Sequence, residues 1–399
     1  MLHPSHPQVR SHLLARALLA GVGLAVMPLT LTPLAASAAG TSADYWGSVF
    51  TTVPSREAAK LTSPTPISLP GTVEQVATSN SDEYALLSDG TVWAWGLGGE
   101  GQLGDGATAD SLATAVQVQF PAGVTIAFLA GDAMPYDAGL AVDSLGHAWG
   151  WGYANLGALC LGRAIDYLTP QEMPFTDVTQ LAGAGDHSIV DAGGDVYACG
   201  ENHDGDMGTG TTKGSSTPVA VQGMQGVSVA ALVASCVNSG ILLTNGDYYD
   251  WGYDAKGQLG DGKLNVSSDV PVQVSLPLAV TQVYEGGSDP GNGQTLVELS
   301  DGSFRGWGDD QFGELGNGVH ATGEASPVSF SAPAGVTYQT IVSSGATSYA
   351  LTTAGAVYAW GQGGSGQIGT GNSANALTPV KVETGVSYIS ATAQDVVTG

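Results

Sequence analysis

Few side chains in this chain could do chemistry. Beyond residue 39 the histidines are His147, His187, His203 and His320, and none sits beside a nucleophile in a recognisable pattern. No HExxH, GxSxG or phosphate-binding glycine loop occurs. The acidic loop Asn202-His203-Asp204-Gly205-Asp206 has some oxygens of a calcium loop but no Glu at the twelfth position, and turn chemistry accounts for it. Cys160, Cys199 and Cys236 fit no zinc spacing. Their odd number leaves at most one disulfide and one free thiol, and three buried thiols is the reading adopted. Carboxylate pairs of the glycosidase kind are spatial and invisible in a sequence, so a hydrolase acting on extracellular glycan or peptide stays open as an alternative. The expectation is a protein that is not an enzyme and has no cofactor and no metal.

Composition narrows the partners. The 399 residues include 59 glycines, and 36 acidic residues stand against 10 basic ones, for a net charge of −26. Glycine is thus roughly twice its ordinary share. Phosphate neutralisation needs clustered Lys and Arg, so nucleic acid is not an expected partner. With 43% hydrophobic residues the chain has enough apolar surface to fold.

Residues 1–38 read as a signal peptide. Arg10, His12 and Arg16 precede an apolar run from Ala17 to Leu29, and small residues at Ala36 and Ala38 place cleavage after Ala38 or Ala39. A retained membrane anchor is the competing reading, against which stand Pro28, Pro33 and the shortness of the run. The expected mature protein, residues 39–399, is secreted, has no membrane span and is a monomer.

The elements that would carry any site come from an internal repeat. DGTVWAWG at 89–96 recurs as LGHAWGWG at 145–152, GDVYACG at 194–200, GDYYDWG at 246–252, DGSFRGWG at 301–308 and GAVYAWG at 355–361. After five of these comes Gly-x4-Gly-x2-Gly-x-Gly, as in GLGGEGQLGDG at 96–106; the copy after Gly152 has Cys160 for the third glycine. In YALLSDGTVWAW two apolar runs flank an Asp-Gly turn, the signature of a β-hairpin. Both faces of the second run are apolar, so the sheet must be covered on both sides, as stacked propeller blades are.

The paired motifs resemble the repeat named after the regulator of chromosome condensation, over essentially all of residues 39–399. That resemblance implies an all-β, seven-bladed propeller. Six units are evident, and Asp44-Tyr45-Trp46-Gly47 with Val386 to Gly399 would build the seventh blade from both ends and close the ring. A six-bladed ring with loose ends is the alternative. His187 fills a recurrent family position, which implies a structural hydrogen bond, and Cys199 stands for a family Trp. The founding member is a nucleotide-exchange factor for a nuclear GTPase and binds chromatin, roles that an acidic, exported chain would not share.

Secreted type II β-lactamase inhibitory proteins of bacteria are distantly similar, which offers inhibition of a secreted enzyme such as a β-lactamase as an alternative. Their contact turns carry aromatics, whereas here only Tyr136 does. The expected function is binding of an extracellular protein or cell-surface ligand through loops on the rigid ring. The loop candidates are Tyr136, Tyr153, Tyr167, Tyr253, Asp289 and Phe312.

Overall fold

Each Asp-Gly or related turn closes a hairpin as its residues require. In the first repeat, Gly90 adopts φ +78°, its N–H donates to the Leu87 carbonyl at 2.8 Å, and the Asp89 carboxylate accepts the Thr91 N–H at 3.0 Å. An L side chain rarely adopts that φ, which is why glycine occupies the turn. The flanking strands pair from Asp82 with Gly96 to Leu86 with Val92.

The computed structural model describes residues 42–50, 58–79, 81–130, 137–287, 293–391 and 395–398. Six consecutive segments each form an antiparallel four-stranded blade. Blade 1 comprises Val73–Thr78, Asp82–Leu87, Val92–Gly96 and Ser111–Gln117. Blade 2 has Ile126–Leu129, Ala138–Asp143, Ala148–Gly152 and Tyr167–Glu172; blade 3 has Val178–Ala184, His187–Ala192, Asp195–Gly200 and Ser215–Gln225. Blade 4 has Val229–Ser235, Asn238–Leu243, Tyr248–Gly252 and Ser268–Gln273. Blade 5 has Val280–Gly286, Gln294–Leu299, Phe304–Asp310 and Ala321–Phe330; blade 6 has Tyr338–Ser344, Thr347–Thr352, Ala356–Gly361 and Ala376–Thr384. First strands of neighbouring blades lie against one another, as in blades 3, 4, 5 and 6.

The expectation of seven repeat blades is corrected: six are built from repeats. The two chain ends form a further sheet, in the order Ala58–Ser68, Ser42–Phe50, Asp395–Thr398, Ile389–Ala391, with Asp44 opposite Thr398 and Gly47 opposite Asp395. Ile389–Ala391 lies beside the first strands of blades 6 and 1. This sheet is not another copy of the repeat blade. Its middle strands come from opposite ends of the chain rather than from an Asp-Gly hairpin, and no Gly-x4-Gly-x2-Gly-x-Gly segment follows Gly47. Most of its side chains, with residues 51–57 and 392–394, lie outside the described residues. The expectation of a seventh repeat blade shared by the two termini is corrected with it. The expected signal peptide, 1–38, also lies outside them, and no helix among the described residues is long and apolar enough to cross a membrane.

The core sits between blades. Trp95, Trp151, Trp251, Trp307 and Trp360 are fully buried on the third strands. Four of these indoles donate to a backbone carbonyl of the preceding blade's glycine loop: Trp151 to Gln102 at 2.8 Å, Trp251 to Asp206 at 2.8 Å, Trp307 to Gln258 at 2.9 Å and Trp360 to Glu314 at 2.7 Å. The next residue but one is Gly104, Gly208, Gly260 or Gly316, and a Cβ there would stand 2.6–2.9 Å from an atom of the same tryptophan or, at Gly104, 2.7 Å from Val118. Close approach of the ring thus dictates the third glycine of the motif.

Between blades 2 and 3 the same place is filled differently. Cys199 replaces the tryptophan, Cys160 replaces the glycine at φ 58°, and the two sulfurs are joined with Cα atoms 5.5 Å apart. The expectation of three thiols is corrected accordingly, with Cys236 buried and outside the disulfide. Thiol titration of the denatured, unreduced protein should count one group, and three after reduction; three without reduction would contradict the pairing.

Candidate functional site

The blade pattern sends the turns between first and second strands, and the loops after third strands, to one rim. At the seam of blades 3 and 4 these segments enclose a cavity of about 240 Å³ lined by Asp186, His187, Glu201, His203, Asp204, Asp206, Cys236 and Val237. Antiparallel pairing of His187 with Gly200 puts Asp186 beside Glu201, whose N–H donates to the Asp186 carbonyl at 2.9 Å. Cys236 and Val237 come from the corresponding turn of blade 4, and the Cys236 carbonyl would stand 2.3 Å from a Cβ at Gly185.

His187 is buried and does no proton chemistry here. Its Nε2 lies 2.8 Å from Ser239 Oγ, and that hydroxyl donates to the Asp206 carbonyl at 2.9 Å. Burial pushes its pKa down to about 4, so the ring is neutral near pH 7. The structural role expected from its repeat position is the geometry observed.

The carboxylates are raised. Burial, then Glu201 and Asp137, lift Asp186 to about 6. Burial and then Asp204 lift Asp206 to about 8, against the lowering effect of the Asp204 N–H. Asp206 is 3% exposed, and its Oδ1 has no hydrogen-bond partner among the described residues. His203 stands at the same rim, its Nδ1 3.6 Å from Asp204. Among the described residues no group of three His, Cys, Asp or Glu is placed to hold a metal ion.

The loop aromatics are spread along the chain rather than gathered. Tyr136 and Asp289 lie outside the described residues. Tyr153 is half-buried at the end of blade 2, its N–H on the Asp137 carbonyl at 2.8 Å. Burial, with Asp186 and three further carboxylates, raises its phenol pKa. Tyr167 packs against the core shared by blades 2 and 3. Tyr253 and Phe312 are half-buried after the third strands of blades 4 and 5, and neither lines the cavity. The cavity residues had one sequence signal, the Asp206 that stands where other copies have Gln102, Gln258 or Gln367.

Comparison with known proteins finds the same repeat. The model of the regulator of chromosome condensation (RCC1) repeat matches residues 89–129, 193–239 and 354–399. The chain carries RCC1 repeats. Over 318 residues it is 27% identical to human E3 ubiquitin-protein ligase HERC2, covering 76% of this chain and 6% of the ligase. Over 320 residues it is 28% identical to the Ultraviolet-B receptor UVR8 of Arabidopsis thaliana, covering 77% of this chain and 69% of the receptor. Yeast RCC1 (Prp20), solved bound to Kap60, superposes with a TM-score of 0.78 at 17% identity, covering 97% of this chain and 96% of that one. A second structure, of Prp20p from Saccharomyces cerevisiae, gives 0.76 at 19%, covering 94% and 92%.

Two expectations are corrected by these relatives. Prp20p is described with its binding to Gsp1p and histones, and in complex with Kap60, so an extracellular or cell-surface ligand is not what such propellers are shown to hold. The secreted assignment is corrected on the same ground, since the partners named for these structures are not extracellular. Relatives from human, plant and yeast likewise lend nothing to a bacterial source or an inhibitor of β-lactamases.

Proposed function

We propose that this propeller is a protein-interaction module whose rim at blades 3 and 4 binds basic segments of a partner protein. The observation that carries the reading is the acidic cavity of Asp186, Glu201, Asp204 and Asp206, set in a chain of net charge −26. Carboxylates held together at partial burial repel one another, and a cationic partner relieves that repulsion. Histones, which the yeast relative is described as binding, are basic proteins and supply a suitable probe. Half-buried Tyr153, Tyr253 and Phe312 lie on the same rim, where aromatics anchor interfaces, and Tyr136 and Asp289 belong to the same proposal.

The test uses the full chain and purified core histones in a binding titration at 150 and 500 mM salt. Asp186→Asn, Glu201→Gln and Asp204→Asn combined should weaken binding about tenfold at the lower salt, as losing several charge-assisted contacts does. Equal binding by wild type and variant, or none by wild type, would overturn the assignment of this rim.

A further inference from the structure

We infer that the cavity between blades 3 and 4 is a receptor for a single lysine side chain of the basic partner, its primary ammonium seated on Asp206. The inference rests on the function proposed above and deepens it.

The argument begins with a one-residue difference among repeats. At the corresponding place in blades 1, 4 and 6, Gln102, Gln258 and Gln367 use the side-chain Oε1 to accept the N–H of Glu100, Lys256 and Ser365 at 2.9, 2.8 and 2.7 Å. Glu314 in blade 5 accepts the Phe312 N–H at 2.7 Å. In blade 3 the residue is Asp206, one methylene shorter. Its carboxylate still receives the Asp204 N–H, and Oδ1 is left buried and unpartnered; Gln258 Nε2 and Glu314 Oε1 are unpartnered too, but of the three residues Asp206 is the one that lines this cavity. A buried carboxylate oxygen without a donor is costly to keep, which marks the place where a donor is missing.

The walls select the donor's shape. Asp186, Glu201 and Asp204 each contribute to the lining, so acceptors arrive from separate residues rather than as one planar pair. A compact ammonium with three divergent N–H bonds suits that arrangement, whereas a guanidinium is best matched by a carboxylate free to accept with both oxygens. Asp206 already commits one side of its carboxylate to the backbone. Beside His187 and His203, Cys236 and Val237 give the apolar part of the lining, against which the four-carbon lysine stem can pack while its charge reaches inward.

The probe is the blocked pentapeptide acetyl-Gly-Gly-Lys-Gly-Gly-amide, with arginine and Nε-acetyl-lysine versions. The readout is the indole N–H resonance of Trp251, which donates to the Asp206 carbonyl, followed beside those of Trp307 and Trp360. The lysine peptide should shift the Trp251 signal saturably and leave the other two in place. Acetylation of the lysine, Asp206→Asn or Asp186→Asn should each weaken binding at least tenfold, and arginine about fivefold. Asp301→Asn, in an exposed hairpin turn on the opposite rim, should change nothing. Unchanged indole signals in the variants show that the fold survives. Equal affinity for the acetylated peptide, equal response in Asp206→Asn, or matching shifts at all three indoles would overturn the pocket. Histone binding that persists while the peptide fails would remove the pocket and leave the interaction rim standing; loss of both in wild type would remove both.

Discussion

Replacing Trp307 by alanine should cost about 4 kcal/mol of unfolding free energy, the range found for large aromatic truncations in cores. Trp307 is fully buried in the cluster that joins blades 4 and 5. Two losses combine: the apolar contacts of the ring with Val283, Val297 and Tyr248, and the bond from its Nε1–H to the Gln258 carbonyl. The facing glycine, Gly260, cannot relax to fill the void because it is held at φ +59° by the loop. Trp93 provides the contrast, since it is only half-buried and its Nε1–H meets Thr91 Oγ1 at 3.3 Å. Alanine there should cost less than half as much. Urea unfolding of both variants measures the difference, and equal losses would mean that the seam between blades is not where stability resides.

Glu314→Gln should make the protein more stable at pH 8 and leave it nearly unchanged at pH 4. Glu314 is fully buried, and burial raises its pKa from 4.5 to about 7. A carboxyl with a raised folded pKa binds its proton more tightly in the native state than in the unfolded chain. Its contribution is therefore complete below the unfolded value and declines as pH rises from about 4.5 toward 7. Each pKa unit is worth about 1.4 kcal/mol, so the loss approaches about 3 kcal/mol. Glutamine keeps the oxygen that accepts the Phe312 N–H, as the glutamines of blades 1, 4 and 6 do, and it carries no charge to bury. Asp206 acts in the same direction with its window reaching about 8. His187 acts oppositely: its pKa is lowered to about 4, so its contribution is present above 6.5 and fades as pH falls toward 4. Unfolding curves of wild type and Glu314→Gln across this range decide the matter, and parallel pH profiles would refute the account.

What could be read directly from residues was local. An Asp-Gly pair makes its turn within four residues, and a tryptophan before a glycine marks a third strand wherever it occurs. The repeat blades followed from these alone. The resemblance implied a seventh copy, but the ends carry a Trp-Gly pair without the hairpin or the glycine loop, and the pairing of Asp44 with Thr398 joins residues from opposite ends of the sequence and cannot be read from either segment. The cavity was hidden for a related reason. Asp186 and Glu201 belong to one blade and could be placed together from the register, whereas Cys236 and Val237 reach them only because blade 4 stacks on blade 3. Aromatic content was a poor guide to the rim, because Tyr167 packs into the core where its alternating strand position sends it.

Cys160 and Cys199 each departed from the repeat pattern, and together they show a coupling that neither shows singly. A tryptophan at 199 would meet the Cβ of residue 160, just as a Cβ at Gly208 or Gly260 would stand 2.6 or 2.8 Å from the indole nitrogen of Trp251 or Trp307. A glycine restored at 160 would leave Cys199 facing an unfilled space. Descent from one seam to the other thus passes through an ancestor carrying either a collision or a void, and the effect of each change depends on whether the other has already occurred. The two positions constrain each other, and each residue fits best in the company of its present partner.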